Sequence, residues 1–239
     1  MRTSFALWGG NVTYQYRTNH AGAATPVNGQ AVQKLVRPGP YRRVLKRGLD
    51  ILVVLIATPP VLAVLLPMML LIMLDGHSPF YRQTRVGQHG RLFRMWKLRS
   101  MVANADEVLE SYLADDPAAR IEWDHHQKLR HDPRVTRIGA LLRKTSMDEL
   151  PQLWNVLVGD MSLVGPRPMM PSQRSLYPGT EYYTMRPGIT GFWQISVRNE
   201  SSFRERAMFD RTYYLQLSFL TDLRVMMRTV RVVMKATGV

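Results

Sequence analysis

The chain has 239 residues, of which 46% are apolar, and it contains no cysteine. That length and composition suffice for a domain with a proper core, and the lack of cysteine excludes disulfides, thiolate metal sites and cysteine nucleophiles. The net charge of +14 predicts anionic partners, and the classes that fit are nucleic acid, an anionic membrane surface and phosphorylated substrates.

The first segment, residues 1–40, is rich in Gly, Ala, Asn, Thr and Pro and shows no lasting apolar period. Such a composition cannot bury enough apolar surface to offset the entropy of ordering the chain. We therefore predict a mostly disordered N-terminal tail.

The next segment, residues 41–75, is dominated by an apolar run, Leu49–Leu74, in which Asp50 is the only charged residue. As one straight helix this run would be roughly 39 Å long, which exceeds the roughly 30 Å hydrocarbon core of a bilayer. Pro59 and Pro60 lie near its middle, where proline breaks or kinks a helix. The run is therefore predicted to be a membrane segment with an interruption.

Basic residues flank the apolar run on both sides. They are Arg42, Arg43, Lys46 and Arg47 before it, and Arg82, Arg85, Arg91 and Arg94 after it. Positive residues mark the cytoplasmic side of a membrane, so a straight span would put one of the two clusters on the wrong face. The pattern favours a re-entrant, proline-broken helix that enters and leaves the same leaflet, with a true transmembrane span as the alternative.

The remainder, residues 76–239, predicts a mixed α+β fold that is predominantly helical. Residues 78–101 alternate apolar and basic side chains around a turn signal at Gly87–Gly90, which predicts a pair of short strands. Met101–Leu113 carries apolar residues at helical spacing with acidic residues on the other faces, which predicts an amphipathic helix.

The segment Leu129–Pro168 predicts two further helices. The second has apolar residues at helical spacing, namely Leu150, Leu153, Trp154 and Leu157. Gly159 suits its C-terminus. Two residues could cap the start of this helix. Ser146 forms a capping-box pattern with Glu149, whereas Asp148 as the cap would place Pro151 in the first turn, where proline is tolerated. Either start places Asp148 and Glu149 at a helix N-terminus.

A last helix is predicted from Asp222, as its cap, to about Ala236. Its basic residues form one stripe: Arg224, Arg228, Arg231 and Lys235. A basic amphipathic helix of this kind often lies in a membrane interface. The alternative is an ordinary surface helix packed on the core, and the sequence leaves both open.

The candidate site is an acidic pair, Asp148 and Glu149, bracketed by Arg143, Lys144 and Arg167. The chain has no Gly-rich phosphate loop and no HExxH motif. Adjacent carboxylates on a helix point roughly 100° apart, so they suit two different roles, and with phosphate oxygens they form a natural Mg²⁺ site. An ionised aspartate can attack phosphorus once cations neutralise the phosphate oxygens. Taken alone, such a pair is also what an ordinary helix N-terminus carries.

Three segments carry a family resemblance. They are KLRSM (Lys97–Met101), RKTSMDELPQLWNVLVGDMSLVGPRP (Arg143–Pro168) and RPGITGFWQI (Arg186–Ile195). They resemble the bacterial sugar transferase family, the monotopic phosphoglycosyl transferases, and the likeness runs from about Tyr41 to the C-terminus. Members of that family have a re-entrant membrane helix with a proline break, which Pro59 and Pro60 match. The resemblance implies a compact, exopolysaccharide-initiating type of monotopic membrane protein with amphipathic interfacial helices. It places the protein in the bacterial inner membrane, with a catalytic domain, residues 76–239, on the cytoplasmic face.

The reaction that the resemblance implies is a two-step transfer. Asp148 attacks the β-phosphate of a UDP-sugar, releases UMP and holds the phospho-sugar, while Asp148 and Glu149 bind Mg²⁺. Polyprenyl (undecaprenyl) phosphate then takes the hexose-1-phosphate. Lys97, Arg143 and Arg167 match family positions that hold phosphates.

The resemblance also extends to the PGITG segment (Pro187–Gly191) and to Asp222. Gly188 and Thr190 are assigned to the nucleotide or sugar, because glycines in a tight turn permit close approach of the backbone to a ligand. Asp222 is assigned either to an acidic position near the active site or to a helix cap. The expected partners are a UDP-sugar, polyprenyl phosphate and membrane lipid, with no nucleic acid. Glucose and galactose are favoured, and amino sugars stay open.

Two other functions fit parts of the sequence. A Mg²⁺-dependent phosphatase or pyrophosphatase for polyprenyl phosphates needs the same acidic, basic and membrane features. A non-enzymatic basic membrane anchor accounts for the net charge of +14, but it gives no reason for an acidic pair between cations.

Overall fold

The apolar segment forms the longest helix, α1 (Lys46–Met73), which follows a π-helical turn at Tyr41–Leu45. The computed structural model describes residues 39–126, 129–196, 203 and 205–234, so the predicted tail, apart from its last two residues, lies outside them. Within the described ranges, Tyr41–Met73 is the one helix long and apolar enough to cross a membrane, and most of it is exposed. This finding concerns length and composition only.

Helix α1 runs through its prolines, Pro59, Pro60 and Pro67, without an interruption. The predicted proline break and the re-entrant course therefore stay predictions. Thr58 donates its hydroxyl to the Val54 carbonyl at 2.8 Å, the acceptor that its own amide already uses in an α-helix. It does not reach one of the carbonyls that the prolines leave free.

The predicted strand pair is confirmed. Strands β1 (Phe80–Val86) and β2 (Leu92–Leu98) are antiparallel. A turn containing Gly87 and Gly90 joins them, and Gly90 has a φ of 76° that favours glycine. The register sets Tyr81 opposite Lys97, so these two side chains lie on one face of the hairpin.

Three helices follow the hairpin: α2 (Ala105–Asp115), α3 (Pro117–His126) and α4 (Arg137–Thr145). The predicted amphipathic helix is therefore confirmed as α2, although it starts later than predicted, because Met101 pairs instead with Val135 in an isolated β-bridge.

The helix with the apolar spacing is α5 (Gln152–Val158), and Gly159, with a φ of 97°, ends it as predicted. Both predicted caps are wrong. Ser146 has a φ of 57° and ends α4, and a 3₁₀ turn, Met147–Glu149, comes before α5. No side chain caps either element, because the carboxylates of the turn contact Lys97 instead.

The PGITG segment (Pro187–Gly191) was predicted to be a tight turn, but it forms a strand instead. Strand β4 (Gly188–Thr190) pairs in parallel with β3 (Ser162–Val164). A Cβ atom added to Gly188 would lie 2.1 Å from the backbone nitrogen of Gly165. Glycine is therefore needed here because two backbones pack against each other, and not because a ligand approaches.

The last elements of the described residues are α6 (Phe192–Ser196), α7 (Arg206–Gln216) and α8 (Phe219–Met234). The predicted cap of the last helix is wrong. The Ser218 hydroxyl accepts the Thr221 amide at 3.3 Å, whereas Asp222 lies inside the first turn and is 1% exposed. The last residue of the predicted cationic stripe, Lys235, lies outside the described residues.

Two buried clusters anchor α1 to the rest of the fold. Val54 joins the largest cluster, which draws on β2, α5, β3, α6, α7 and α8. Leu65 and Ile72 join a second cluster with Leu98 of β2 and Leu142 of α4. Across the described residues the fold is mostly helical with a few strands, as predicted, although the second sheet, β3 with β4, was not predicted. The apolar helix contacts this fold near both of its ends.

Candidate active site

One cavity of about 1080 Å³ gathers most of the predicted site residues. Its lining includes Lys97, Arg143, Asp148, Glu149, Arg167 and Thr190. Gly188 and Asp222 do not line it. Sequence motifs that are far apart in the chain therefore converge on one place.

The acidic pair lies on the 3₁₀ turn between α4 and α5, and Lys97 of β2 joins its members. The Lys97 ammonium is 3.3 Å from Asp148 Oδ2 and 2.9 Å from Glu149 Oε1. Asp148 is 8% exposed. The left-handed conformation of Ser146 turns the chain sharply after α4, and this turn directs both carboxylates towards the hairpin.

Burial raises the pKa of Asp148 above its ordinary value, and the nearby charge of Glu149 acts in the same direction. The positive charges of Lys97 and Arg143 oppose that shift. The carboxylate is therefore desolvated but kept near cations, a combination that enzymes use to tune reactive groups.

Arg143 reaches the cavity from α4 and is held by Ser100. Its Nε donates to the Ser100 hydroxyl at 2.9 Å. Helix α4 can approach this segment only because residue 139 is glycine, since an added Cβ atom would lie 1.9 Å from the Ser100 carbonyl oxygen. Gly139 is thus a requirement of the site that the sequence analysis did not identify.

Arg167 is positioned by residues that the sequence analysis missed. Its guanidinium carbon lies 5.6 Å from the ring centre of Trp193, and that of Arg206 lies 5.2 Å from the same ring. Arg206 is buried and donates to the Arg167 carbonyl at 2.7 Å. The hydrogen bond holds the backbone at Arg167, and the contact with the Trp193 ring restricts where its side chain can point.

Strand β1 supplies one wall of the cavity through alternate residues, Tyr81, Gln83 and Arg85. Alternation along a strand places such residues on one face. The register that sets Tyr81 opposite Lys97 makes this the face of the acidic pair. The sequence carried this signal, but it did not show which face of the hairpin would meet the helices.

Another part of the cavity wall comes from the apolar helix. Pro60, Val61 and Val64 of α1 line the same cavity as Asp148. An apolar surface and a buried carboxylate therefore border one space, which suits a ligand that carries both a phosphate and a hydrocarbon chain.

Asp222 belongs to a separate buried network at the base of α1. Its carboxylate accepts hydrogen bonds from Tyr41 (2.6 Å), Lys46 (2.7 Å) and Tyr213 (2.7 Å). Lys46 also donates to the Val164 carbonyl at 2.9 Å. The network joins the start of α1 to α7, α8 and β3, and its donors use both oxygens of Asp222.

Asp148 and Glu149 fit a magnesium ion as partial ligands. In the described ranges no group of three or more Asp, Glu or His side chains converges on one point. Magnesium, however, is commonly held by one or two carboxylates together with substrate phosphates and water. The two carboxylates beside Lys97 meet that requirement when a phosphorylated substrate supplies the remaining oxygens.

Comparison with known proteins agrees with the three motifs. A model of the bacterial sugar transferase family matches residues 41–236. The UDP-galactose-lipid carrier transferase of Erwinia amylovora is 47% identical over 198 residues, and the undecaprenyl-phosphate galactose phosphotransferase of Salmonella typhimurium is 44% identical over 202 residues. These alignments cover 82% of this chain and 42% of each relative, so the chain spans less than half their length. The exopolysaccharide production protein ExoY of Rhizobium meliloti is 40% identical over 224 residues, covering 91% of both chains.

Proposed function

The chain belongs to the bacterial sugar transferase family, and from this premise we propose that it transfers a hexose-1-phosphate from a UDP-sugar to polyprenyl phosphate. The observation that carries the proposal is the position of Asp148. It is a buried carboxylate that faces the cavity and shares Lys97 with Glu149.

In the first step, an Asp148 oxygen attacks the β-phosphorus of the UDP-sugar. A bond forms between that oxygen and phosphorus, and the bond from phosphorus to the bridging oxygen breaks, so that UMP leaves with the bridging oxygen. Lys97 and Arg143 lie beside Asp148 and stabilise the negative charge on the phosphoryl oxygens as it shifts. The protein is left with a phospho-sugar on Asp148.

In the second step, an oxygen of polyprenyl phosphate attacks the same phosphorus. The bond between phosphorus and Asp148 breaks, which restores the carboxylate and releases a polyprenyl diphospho-sugar. Two displacements at one phosphorus let a soluble donor and a lipid acceptor use the site in turn. Pro60, Val61 and Val64 on the cavity wall support entry of the lipid from the side of α1.

Asp148 and Glu149 would hold the Mg²⁺ ion together with phosphate oxygens of the donor. When bound, the ion neutralises charge on the diphosphate and makes its phosphorus easier to attack. Lys97 contacts both carboxylates, so it positions the pair for this role.

The packing of α1 supports the re-entrant topology. Near its start, the Asp50 carboxylate accepts hydrogen bonds from Ser162 and from the Leu163 amide, and near its end the Ile72 carbonyl accepts one from Arg99. A helix that crossed a bilayer would carry one end about 30 Å away from a domain on the other side. Because both ends contact the same domain, we infer that α1 does not span the bilayer. It would instead bend at its prolines, without losing its helical backbone, and leave by the leaflet that it entered.

The basic residues on both flanks of α1 support a position of the domain on the cytoplasmic face of the bacterial inner membrane. Cysteine-accessibility labelling tests this topology, since the chain has no native cysteine. Arg43→Cys and Arg91→Cys, both at exposed positions, should react with an impermeant reagent from the same side. Labelling from opposite sides would establish a transmembrane span.

The names of the relatives guide the choice of donor. Two of them act on galactose by name, and the N-acetylgalactosaminephosphotransferase of Aeromonas hydrophila, 34% identical, acts on an amino sugar. We propose UDP-galactose and other UDP-hexoses as donors, to be compared with UDP-N-acetylhexosamines in one panel.

The decisive experiment is to trap the covalent step. The full chain in membranes, incubated with Mg²⁺ and a labelled UDP-hexose, should retain label and release UMP. Asp148→Asn should retain none, and Asp124→Asn, a surface aspartate paired with Arg120, should behave like the wild type. Transfer to polyprenyl phosphate without a labelled protein would contradict the covalent mechanism. Release of inorganic phosphate from polyprenyl phosphate would favour the phosphatase.

A further inference from the structure

A second group of cations lines the cavity apart from the acidic pair. Arg85 of β1 and Arg167, which follows β3, both border it. Among the described residues, no carboxylate comes within 4.0 Å of either guanidinium. Cations that face a cavity without a carboxylate partner are unusual, because removing a charge from water is costly unless another group compensates for it.

Arg85 has only part of its hydrogen-bonding capacity used. Its Nη2 donates to Gln83 Oε1, whereas its Nε is buried and has no partner within the part of the chain that the structure describes. Buried donors are nearly always satisfied in folded proteins. The unused donor is therefore a group that a ligand in the cavity could satisfy.

The electrostatics of Arg85 point to an anion. Burial first, and then the like charges of Arg167 and Arg206, lower the pKa of Arg85 to about 10. The group is still cationic at neutral pH. An anion between Arg85 and Arg167 would relieve their repulsion and use the open donors, because guanidinium groups bind phosphate oxygens with paired hydrogen bonds.

The position of Arg85 separates it from the acidic pair. Tyr81, four residues earlier on β1, lies opposite Lys97, and four residues of strand correspond to roughly 13 Å. An isolated bridge between Val86 and Met169 holds the Arg85 strand against the segment that carries Arg167. Lys97 and Arg85 therefore serve different parts of one cavity.

We propose that Arg85 and Arg167 form a second phosphate site, which binds a phosphate monoester while Asp148 holds the transferred phosphoryl group. This inference rests on the proposed function. Two sources share the chemistry: the monophosphate of UMP, as it leaves, and the phosphate of the lipid acceptor, as it arrives. Each is a phosphate that is not the one bonded to Asp148.

The test compares Arg85→Met with Arg82→Met in the full chain in lipid nanodiscs. Both changes remove one positive charge from β1, but Arg82 does not line the cavity and stacks on Trp96. Three quantities are measured: the affinity for UMP, the rate of phospho-sugar formation from a UDP-hexose, and the rate at which undecaprenyl phosphate discharges the preformed adduct.

Arg85→Met should weaken at least one of these by about tenfold or more, the scale of a lost charge-assisted hydrogen bond. Loss of UMP affinity and of adduct formation assigns the site to the nucleotide. Slow discharge with normal adduct formation assigns it to the lipid phosphate. Arg82→Met should stay within about twofold of the wild type in all three, as expected of a surface charge.

Equal behaviour of Arg85→Met and Arg82→Met in all three measurements would overturn the second site. Should Arg85→Met fail to fold, Arg85→Lys carries the test, since it keeps the charge but loses the fork of donors and should still fall severalfold below Arg82→Met. The UMP affinity requires no reaction at Asp148. A chain that forms no adduct but loses UMP affinity on Arg85→Met would contradict the covalent mechanism and leave the second site standing.

Discussion

Asp148 and Asp222 are both buried carboxylates with a lysine beside them, yet their surroundings differ in what they leave open. Asp222 is 1% exposed and accepts hydrogen bonds from two tyrosine hydroxyls and Lys46. Asp148 is 8% exposed and faces the cavity, and Lys97 is the one side-chain donor that the described residues bring to it. A buried carboxylate whose oxygens all accept hydrogen bonds stabilises the structure. A buried carboxylate with an oxygen that faces a cavity can react with a ligand.

The largest expected effect is the loss of transfer activity when Asp148, the carboxylate that faces the cavity, is replaced. Asp148→Asn should lower hexose-1-phosphate transfer by roughly 10⁴-fold or more, because the amide cannot replace a nucleophilic carboxylate. The melting temperature should not fall, because the variant no longer buries a charge that is desolvated in the native state. Transfer assays and thermal unfolding of the same preparation check both. Retention of activity would show that Asp148 is a structural residue like Asp222.

Replacement of Asp222 should have the opposite effect, namely a loss of stability with the chemistry retained. Asp222→Asn removes the charge that balances Lys46, and breaking a buried ion pair costs about 3–5 kcal/mol of stability. We expect a lower urea midpoint of unfolding and loss of protein from the membrane fraction, with phospho-sugar formation intact in the molecules that still fold. A folded Asp222→Asn protein that forms no adduct would show that Asp222 takes part in the reaction at the active site.

Lys97 tests how the open carboxylate is kept ionised. Its charge opposes the rise in the pKa of Asp148 that burial causes, so Lys97→Met should raise that pKa further. The reactive form is the anion, and the acidic limb of the pH profile of transfer should therefore move to higher pH. Loss of charge stabilisation should also lower the maximal rate by roughly 10²-fold. If the rate falls but the acidic limb of the pH profile does not move, Lys97 stabilises the charge of the phosphate and does not affect the ionisation of Asp148.

The site was more predictable from the sequence than the network around Asp222. Asp148, Glu149 and Lys97 belong to contiguous motifs whose residue types match phosphoryl chemistry, and the structure brings them together. The part played by Asp222 depends on Tyr41 and Lys46, more than 170 positions away in the chain. A capping pattern is local, and local patterns do not report such partners.

Other features were not predicted for the same reason, because they depend on contacts between distant parts of the chain. The strand pair and the helix end at Gly159 follow from local periodicity and backbone freedom, and both were predicted. Gly139 and Gly188 are required by close contacts with Ser100 and Gly165, which only the assembled fold reveals. Arg85 lay in a recognised strand, but the alternation of a strand does not say which face meets the cavity.

Asp210 is another buried carboxylate, and it gives the smallest expected effect. It accepts a hydrogen bond from Tyr177 at 2.7 Å, and burial raises its pKa to about 7, above the value near 4 of an unfolded chain. Between about pH 4 and 7 the native state therefore keeps a proton that the unfolded state has lost, so stability should fall as pH rises, by at most about 1.4 kcal/mol per pH unit. Asp210→Asn, which does not titrate, should flatten that slope in urea unfolding followed across this range. An unchanged slope would mean that Asp210 is ionised across this range, because the positive charge of Arg206 outweighs the effect of burial.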